Sequence, residues 1–266
     1  MNIEVISSAQ NPKIKSLRSL YESSKERKSK GVFVLEGKRE IDAASAKGFS
    51  IETLYYCPDM TSFESAKQYR ATQYFALTSE LYSRVAYRGT TEGIIAIVKA
   101  PENSLDSIKL SKNPLIIVLE SVEKPGNLGA VLRTADAVKA DAVIICDPLT
   151  DIYNPNVIRS SLGGIFTNQV AVCDSKDAYS WIKKHEISIF TAELQASEWY
   201  HKCDFTISTA LVMGTEADGL SDFWRERADQ RIKIPMLGQL DSLNVSVSTA
   251  VLCFEALRQR NFYFQI

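Results

Sequence analysis

The sequence predicts an α/β protein in two parts, a small α/β unit followed by a larger one built on a mostly parallel sheet. Short apolar runs suited to strands alternate with helical stretches along the whole chain, the pattern that produces parallel strands joined by crossover helices. A polar stretch, Pro101-Glu-Asn-Ser-Leu-Asp106, interrupts that alternation and reads as a linker. The 266 residues are ample for two cores. The expected domains are residues 1–110 and 111–266.

In the first part, residues 8–30 read as one basic amphipathic helix with Ile14, Leu17, Leu20 and Tyr21 on its apolar face. Strands follow at 32–35, 51–57, 74–77 and 93–99, separated by helices at 39–47, 61–70 and 79–87. In the second part, residues 115–119 are apolar throughout, as a strand buried on both faces must be. A loop at 120–129 leads to a helix at 130–139 and a strand at 142–146. A long polar loop (147–156), a helix ending at Gly163-Gly164, a strand at 169–172 and a helix at 176–184 come next. Further strands are expected at 187–192 and 209–213, then a loop at 214–219 and a helix at 221–227.

The final segment begins with a strand over 232–236, closed by Pro235, which has no N–H to give a ladder. A loop precedes a helix starting near Asn244, with Ser242 or Asn244 as its cap. Small residues (Ser246, Ser248, Thr249, Ala250) in its first turns let another backbone approach. Arg258 and Arg260 sit at the end where the helix dipole favours cations.

The formal net charge of −1 gives no global sign of a polyanionic partner. Residues 1–39, however, carry nine Lys/Arg against four acids, a local net of +5. The five cysteines are odd in number and without a CxxC pair, which points to reduced thiols rather than a disulfide frame or metal site. The two histidines, His185 and His201, sit in no motif, and no metal is expected. No apolar run is long enough to span a bilayer, so a cytoplasmic protein without membrane partners is expected.

Three loops follow strand ends, at 120–129, 214–219 and 235–244, where ligands bind in open α/β sheets. Neither GxGxxG nor GxxxxGK[ST] occurs, which disfavours dinucleotide enzymes and nucleotide hydrolases. The loops instead offer Asn127, Glu216, Ser242 and Asn244. Arg133 lies just beyond the first, with a planar fork suited to phosphate.

Three stretches carry a family resemblance. They are Pro125-Gly-Asn-Leu-Gly-Ala-Val-Leu-Arg-Thr-Ala135, Val212-Met-Gly-Thr-Glu-Ala-Asp-Gly-Leu-Ser221, and Ile234-Pro-Met236 through Ser242-Leu-Asn-Val-Ser246 to Glu255-Ala-Leu-Arg-Gln259. In this order and spacing they resemble the SpoU (TrmH) family of RNA ribose 2′-O-methyltransferases. Residues 1–100, with Phe33-Val-Leu-Glu-Gly37 as the most telling stretch, are similar to that family's L30e-like substrate-binding domain. One departure is Val138-Lys-Ala140, where related sequences commonly carry Phe-Gly.

The resemblance implies a C-terminal parallel-sheet domain with a deep trefoil knot beside a smaller L30e-like α/β domain. It implies S-adenosylmethionine bound at Met213, Gly214, Ile234, Met236 and Leu243. It assigns Arg133 to activation of the ribose hydroxyl, with Asn127, Glu216, Ser242 and Asn244 shaping the site, and it implies a homodimer. The expected substrate is structured RNA, rRNA ahead of tRNA. The competing reading is a non-catalytic RNA-binding protein acting in ribosome assembly, which would not require this polar set.

Overall fold

Capping side chains set most of the helix starts. Asn11, Ser23, Ser62, Thr78, Asn154, Asp174 and Asn244 each accept a bond from an N–H in the first turn of the helix that follows, satisfying donors that have no partner within the helix. The computed structural model describes residues 3–87, 92–196, 198–216 and 218–261. They form two units: Met1–Pro101 with Asp151–Thr167, and Glu102–Thr150 with Asn168–Ile266.

The elements begin with β1 (Val5–Ile6), α1 (Pro12–Glu22), α2 (Ser24–Lys30), β2 (Val32–Glu36) and α3 (Lys38–Ala46). Then come β3 (Ile51–Tyr56), α4 (Phe63–Lys67), β4 (Gln73–Leu77), α5 (Ser79–Val85) and β5 (Ile94–Lys99). The second unit opens with β6 (Leu115–Glu120), α6 (Pro125–Ala137) and β7 (Ala142–Cys146). The chain next makes α7 (Pro155–Ser161) and α8 (Gly164–Thr167), both counted in the first unit. It continues through β8 (Val170–Cys173), α9 (Ser175–Lys184), β9 (Ser188–Ala192), β10 (Glu198–Trp199) and β11 (Thr209–Met213). It closes with α10 (Asp222–Arg227), β12 (Gln230–Lys233) and α11 (Val245–Gln259).

In the first unit the five strands are ordered β1-β4-β3-β5-β2. β3 pairs parallel with β4, whereas β5 runs antiparallel to both β2 and β3. The expected single helix over 8–30 is two helices. Ser23 adopts extended angles (φ −115°, ψ 113°), ends α1 and caps α2. Its hydroxyl accepts from the Glu26 N–H at 3.2 Å, the Ser-x-x-Glu arrangement that starts helices. Ile14, Leu17 and Leu20 are buried as the spacing requires.

The basic segment is less free than its charge count suggests. Arg27 is 4 % exposed and forms a 2.6 Å ion pair with Asp151, itself 7 % exposed. Its guanidinium also donates to the carbonyls of Leu20 (2.6 Å) and Tyr21 (3.1 Å), taking up acceptors at the end of α1. Lys13 pairs with Glu4 and Lys30 with Glu26. Phe33 stacks on Tyr153 with ring centres 4.2 Å apart and on Phe166 at 6.2 Å.

The second unit has seven strands ordered β10-β12-β9-β11-β6-β7-β8, and every pairing is parallel. β6, β7 and β11 are buried along their whole length. Several boundaries differ from the sequence reading, and β10 (Glu198–Trp199) is absent from it. α6 starts at Pro125 rather than 130, because proline fits the first helical position. β12 ends at Lys233, before Pro235. The polar stretch after Cys146 runs into α7 and α8, which pack in the first unit. α11 is capped by Asn244 and packs on α6 and β11. Cys146 and Cys173 face each other in register on β7 and β8, both as free thiols. The bond to Cys173, with burial, pushes the Cys146 thiol far up.

The Arg27–Asp151 pair yields the first prediction. Arg27→Ala or Asp151→Ala leaves one buried charge uncompensated and should cost about 3–5 kcal/mol, whereas an Arg27→Met/Asp151→Leu double variant should be near neutral. Urea denaturation of the three proteins checks this; single variants as stable as the parent would contradict it.

Candidate active site

Three chain segments meet at the carboxyl end of the second unit's sheet. Gly214 follows β11 and turns so tightly that a Cβ there would lie 2.2 Å from the Gly219 carbonyl carbon. The turn is held by paired bonds between Thr215 and Gly219, of 3.0 and 3.2 Å, and Gly219 has a positive φ of 69°. No side chain fits at Gly214, and the backbone angle at Gly219 favours glycine. The turn presents Glu216 between the starts of two helices.

Glu216 is the hub of the polar cluster. Asn127, in the first turn of α6, donates to it at 3.0 Å. Asn244, the cap of α11, donates both to Glu216 and to the side-chain oxygen Oδ1 of Asn127, the latter at 3.1 Å. Lys124 forms an ion pair with the other carboxylate oxygen. The Val245 N–H adds a backbone bond. Asn244 meanwhile accepts from the Ser246 N–H (2.9 Å) and hydroxyl (2.6 Å), so its orientation is set by the helix it caps. Lys124, then Asn127, hold the Glu216 carboxyl below the usual glutamate range, and Glu216 raises Lys124 in turn. Two helix N-termini facing one carboxylate favour its charged form as well.

A cleft of about 750 Å³ opens beside this cluster. Met213, Gly214, Ile234, Met236 and Leu243 all line it, as do Glu216 and Ser242. A smaller recess of about 80 Å³ adjoins it, lined by Lys124, Asn127, Glu216 and Val245. The structure therefore gathers Asn127, Glu216 and Asn244 at one end of the cleft. Ser242 faces the cleft but donates to Asp241 at 3.1 Å rather than to the cluster. Arg133 stands apart: it is exposed on α6 and lines neither cavity. Six residues along a helix place it about 9 Å from Asn127 along the axis and about 120° around it.

Lys124 escaped the sequence reading, since a lysine before Pro125-Gly126 looks like any surface charge. Its one signal is position, next to the first motif. Glu120, also unmarked, is buried and accepts from the Ser221 N–H (2.8 Å) and hydroxyl (2.6 Å), fixing the start of α10 beside the cleft. Among the described residues, no cluster of three or more His, Cys, Asp or Glu could hold a metal ion, and no helix is long and apolar enough to cross a membrane.

Residues 114–254 match the model of the SpoU rRNA methylase family. The chain belongs to that family. Residues 11–96 match the MRM3-like substrate-binding domain, so this SpoU methylase carries a substrate-binding module ahead of its catalytic one. It is similar to the Bacillus subtilis 23S rRNA guanosine 2′-O-methyltransferase RlmP, 30% identical over 94% of this chain and 97% of that one. A solved RNA 2′-O ribose methyltransferase is 37% identical with a TM-score of 0.81, covering 97% of this chain and 99% of the other. AviRb of Streptomyces viridochromogenes, a SpoU methyltransferase solved in complex with AdoMet, is 27% identical with a TM-score of 0.88 over 95% and 99% of the two chains.

The cluster predicts a titration. The depressed Glu216 value means its contribution is present above the ordinary glutamate pKa and lost as pH falls through the lowered one. Lys124→Ala removes the largest cause, so the Glu216 midpoint should move up, toward that of a free glutamate. NMR titration of labelled glutamate side chains reads it; an unmoved midpoint would contradict the assignment.

Proposed function

We propose that this chain methylates a ribose 2′-hydroxyl in structured RNA, ribosomal ahead of transfer RNA, using S-adenosylmethionine. The observation that carries the reading is Glu216, Asn127 and Asn244 bound together at the end of a cleft lined by Met213, Gly214, Ile234, Met236 and Leu243. Relatives named as 23S rRNA 2′-O-methyltransferases, and a neighbour solved with the same cofactor, support it.

The cleft suits that cofactor. Four carboxylates line it (Glu193, Glu216, Asp218, Asp241) against two cations, Arg225 and Lys233, a balance favourable to a ligand bearing a sulfonium and an ammonium. Apolar walls at Met213, Ile234 and Leu243, with backbone groups of three loops between them, suit a nucleoside. When bound, S-adenosylmethionine supplies an electrophilic methyl group on sulfur.

The chain's own task is positioning. A ribose hydroxyl is a weak nucleophile and must approach in line, so orientation supplies much of the rate. Asn127 and Asn244 offer amides fixed by their bonds to Glu216, ready to orient the hydroxyl, and Ser242 shapes the mouth. Arg133 keeps its proton at neutral pH. Exposed on α6, it grips a substrate phosphate with its planar fork.

The same reading includes a trefoil knot, in which the 234–244 segment and α11 tuck behind the 214–219 turn; their shared cleft supports this. It also includes a homodimer. Val247 and Phe254, seven residues apart on α11, present partly exposed apolar side chains on one side of it, and α11 packs on α6, which carries Arg133. The domains are assigned as 1–110 for RNA binding and 111–266 for catalysis. The reading also includes a cytoplasmic location.

Radiolabelled S-adenosylmethionine and ribosomal RNA from a strain lacking the gene test the reading. Label at one ribose is expected, with single-turnover rates falling on the order of 100-fold for Arg133→Ala and nearly as far for Arg133→Lys, which lacks the fork. No label together with no cofactor binding would overturn it.

A further inference from the structure

The cleft does not end at the proposed cofactor residues. The strands whose ends form it lie in the order β11, β9, β12, β10. With neighbouring strands about 4.8 Å apart, its far rim is about 14 Å from Met213. At that rim Trp199 of β10 stands in register beside Lys233 of β12, and both side chains line the cleft. The Lys233 ammonium sits 4.7 Å from the centre of the indole ring. The ring is partly exposed. Among the described residues Lys233 has no carboxylate partner and the indole N–H no acceptor. Immediately beyond, Tyr200 and His201 meet edge to face at 5.6 Å, and His201 and Lys202 are exposed.

We propose that Trp199 and Lys233 form a docking platform for a nucleotide flanking the target ribose, the base stacking on the indole and the ammonium moving to its phosphate. The inference rests on the RNA-methyltransferase reading and adds the side of the cleft by which RNA enters. Three features favour RNA over the cofactor at this rim. Trp199 is on the outermost strand of the sheet and Lys233 on the strand beside it, away from the central ends. The adjoining turn is aromatic and open to solvent, with His201 exposed and Lys202 paired to Glu198 at 3.9 Å, so Lys233 is the cation that faces a phosphate while the rings offer the stacking surface that holds single-stranded nucleic acid. A ribose brought into a cleft must also leave its neighbours unstacked, and an aromatic face replaces the lost stacking. The lysine already lies against the ring, so its charge is held in place until a phosphate replaces the π-face as its partner.

The test uses the full chain. Trp181 and Trp224 are buried, so the fluorescence change on adding a short oligouridylate reports Trp199, and Trp199→Phe identifies it. Quenching is expected in the parent and absent in Trp199→Phe. Trp199→Ala and Lys233→Ala should each raise KM for ribosomal RNA on the order of tenfold, with a smaller change in kcat and unchanged cofactor affinity by calorimetry. Trp199→Phe, which keeps an aromatic face, should raise KM by much less and retain the parent's melting temperature. Absence of quenching with an unchanged KM in Trp199→Ala would overturn the proposal. Loss of cofactor affinity with an unchanged RNA KM would overturn it too, placing the indole in the cofactor's wall. A parent that transfers no methyl group would count against the proposed function, and the quench would still decide the platform.

Discussion

The Glu216 carboxylate is the constraint on which the catalytic unit's geometry depends. It accepts from Lys124 and Asn127 at the start of α6 and from Asn244 and Val245 at the start of α11. One side chain thereby fixes the relation of three segments that are far apart in sequence. The arrangement answers a physical need, because two helix N-termini brought together present unpaired donors and positive dipole ends. A carboxylate is the group that satisfies both. The turn bearing it leaves no room for a Cβ at Gly214, and Gly219 supplies the positive φ that closes it. Cleft and polar cluster are thus consequences of one local solution.

The first unit depends on a different buried charge. Arg27 and Asp151 are both nearly inaccessible, and Arg27 spends its remaining donors on the open end of α1. A pair of this kind is costly to break and contributes little relative to an apolar replacement. Its value is positional: it ties residue 151 to α2, while Tyr153 and Phe166 stack on Phe33 of β2. The basic character of the N-terminal segment is accordingly carried by fewer free cations than its composition suggests, with Lys13 and Lys30 also paired.

Much of the fold was readable because strands and helices announce themselves by pattern. Residues 115–119 and 209–213 are apolar without alternation, as fully buried strands must be, and Asn244 is a cap by residue type. The family motifs group Asn127, Glu216 and Asn244 by sequence alone. What escaped depended on distant pairing. Nothing local to Lys124 points to Glu216, 92 residues away, and nothing local to Arg27 tells of Asp151, so a buried arginine looked like a solvated one. Ser23 breaks the first helix through a capping choice that helical periodicity does not register. Arg133 reads as a neighbour of the strand-end crevice, but with α6 starting at Pro125 the rotation along the helix turns it outward.

The most direct test of this account is cofactor affinity in a variant that removes the hub. Calorimetric titration of S-adenosylmethionine into Glu216→Ala should show binding weakened at least about tenfold, since the loss of charge-assisted bonds costs upward of about 1.5 kcal/mol, while Arg133→Ala binds as the parent does. Equal affinity in Glu216→Ala and the parent, with the fold intact, would show that the three segments hold their places without Glu216 and would contradict its central role.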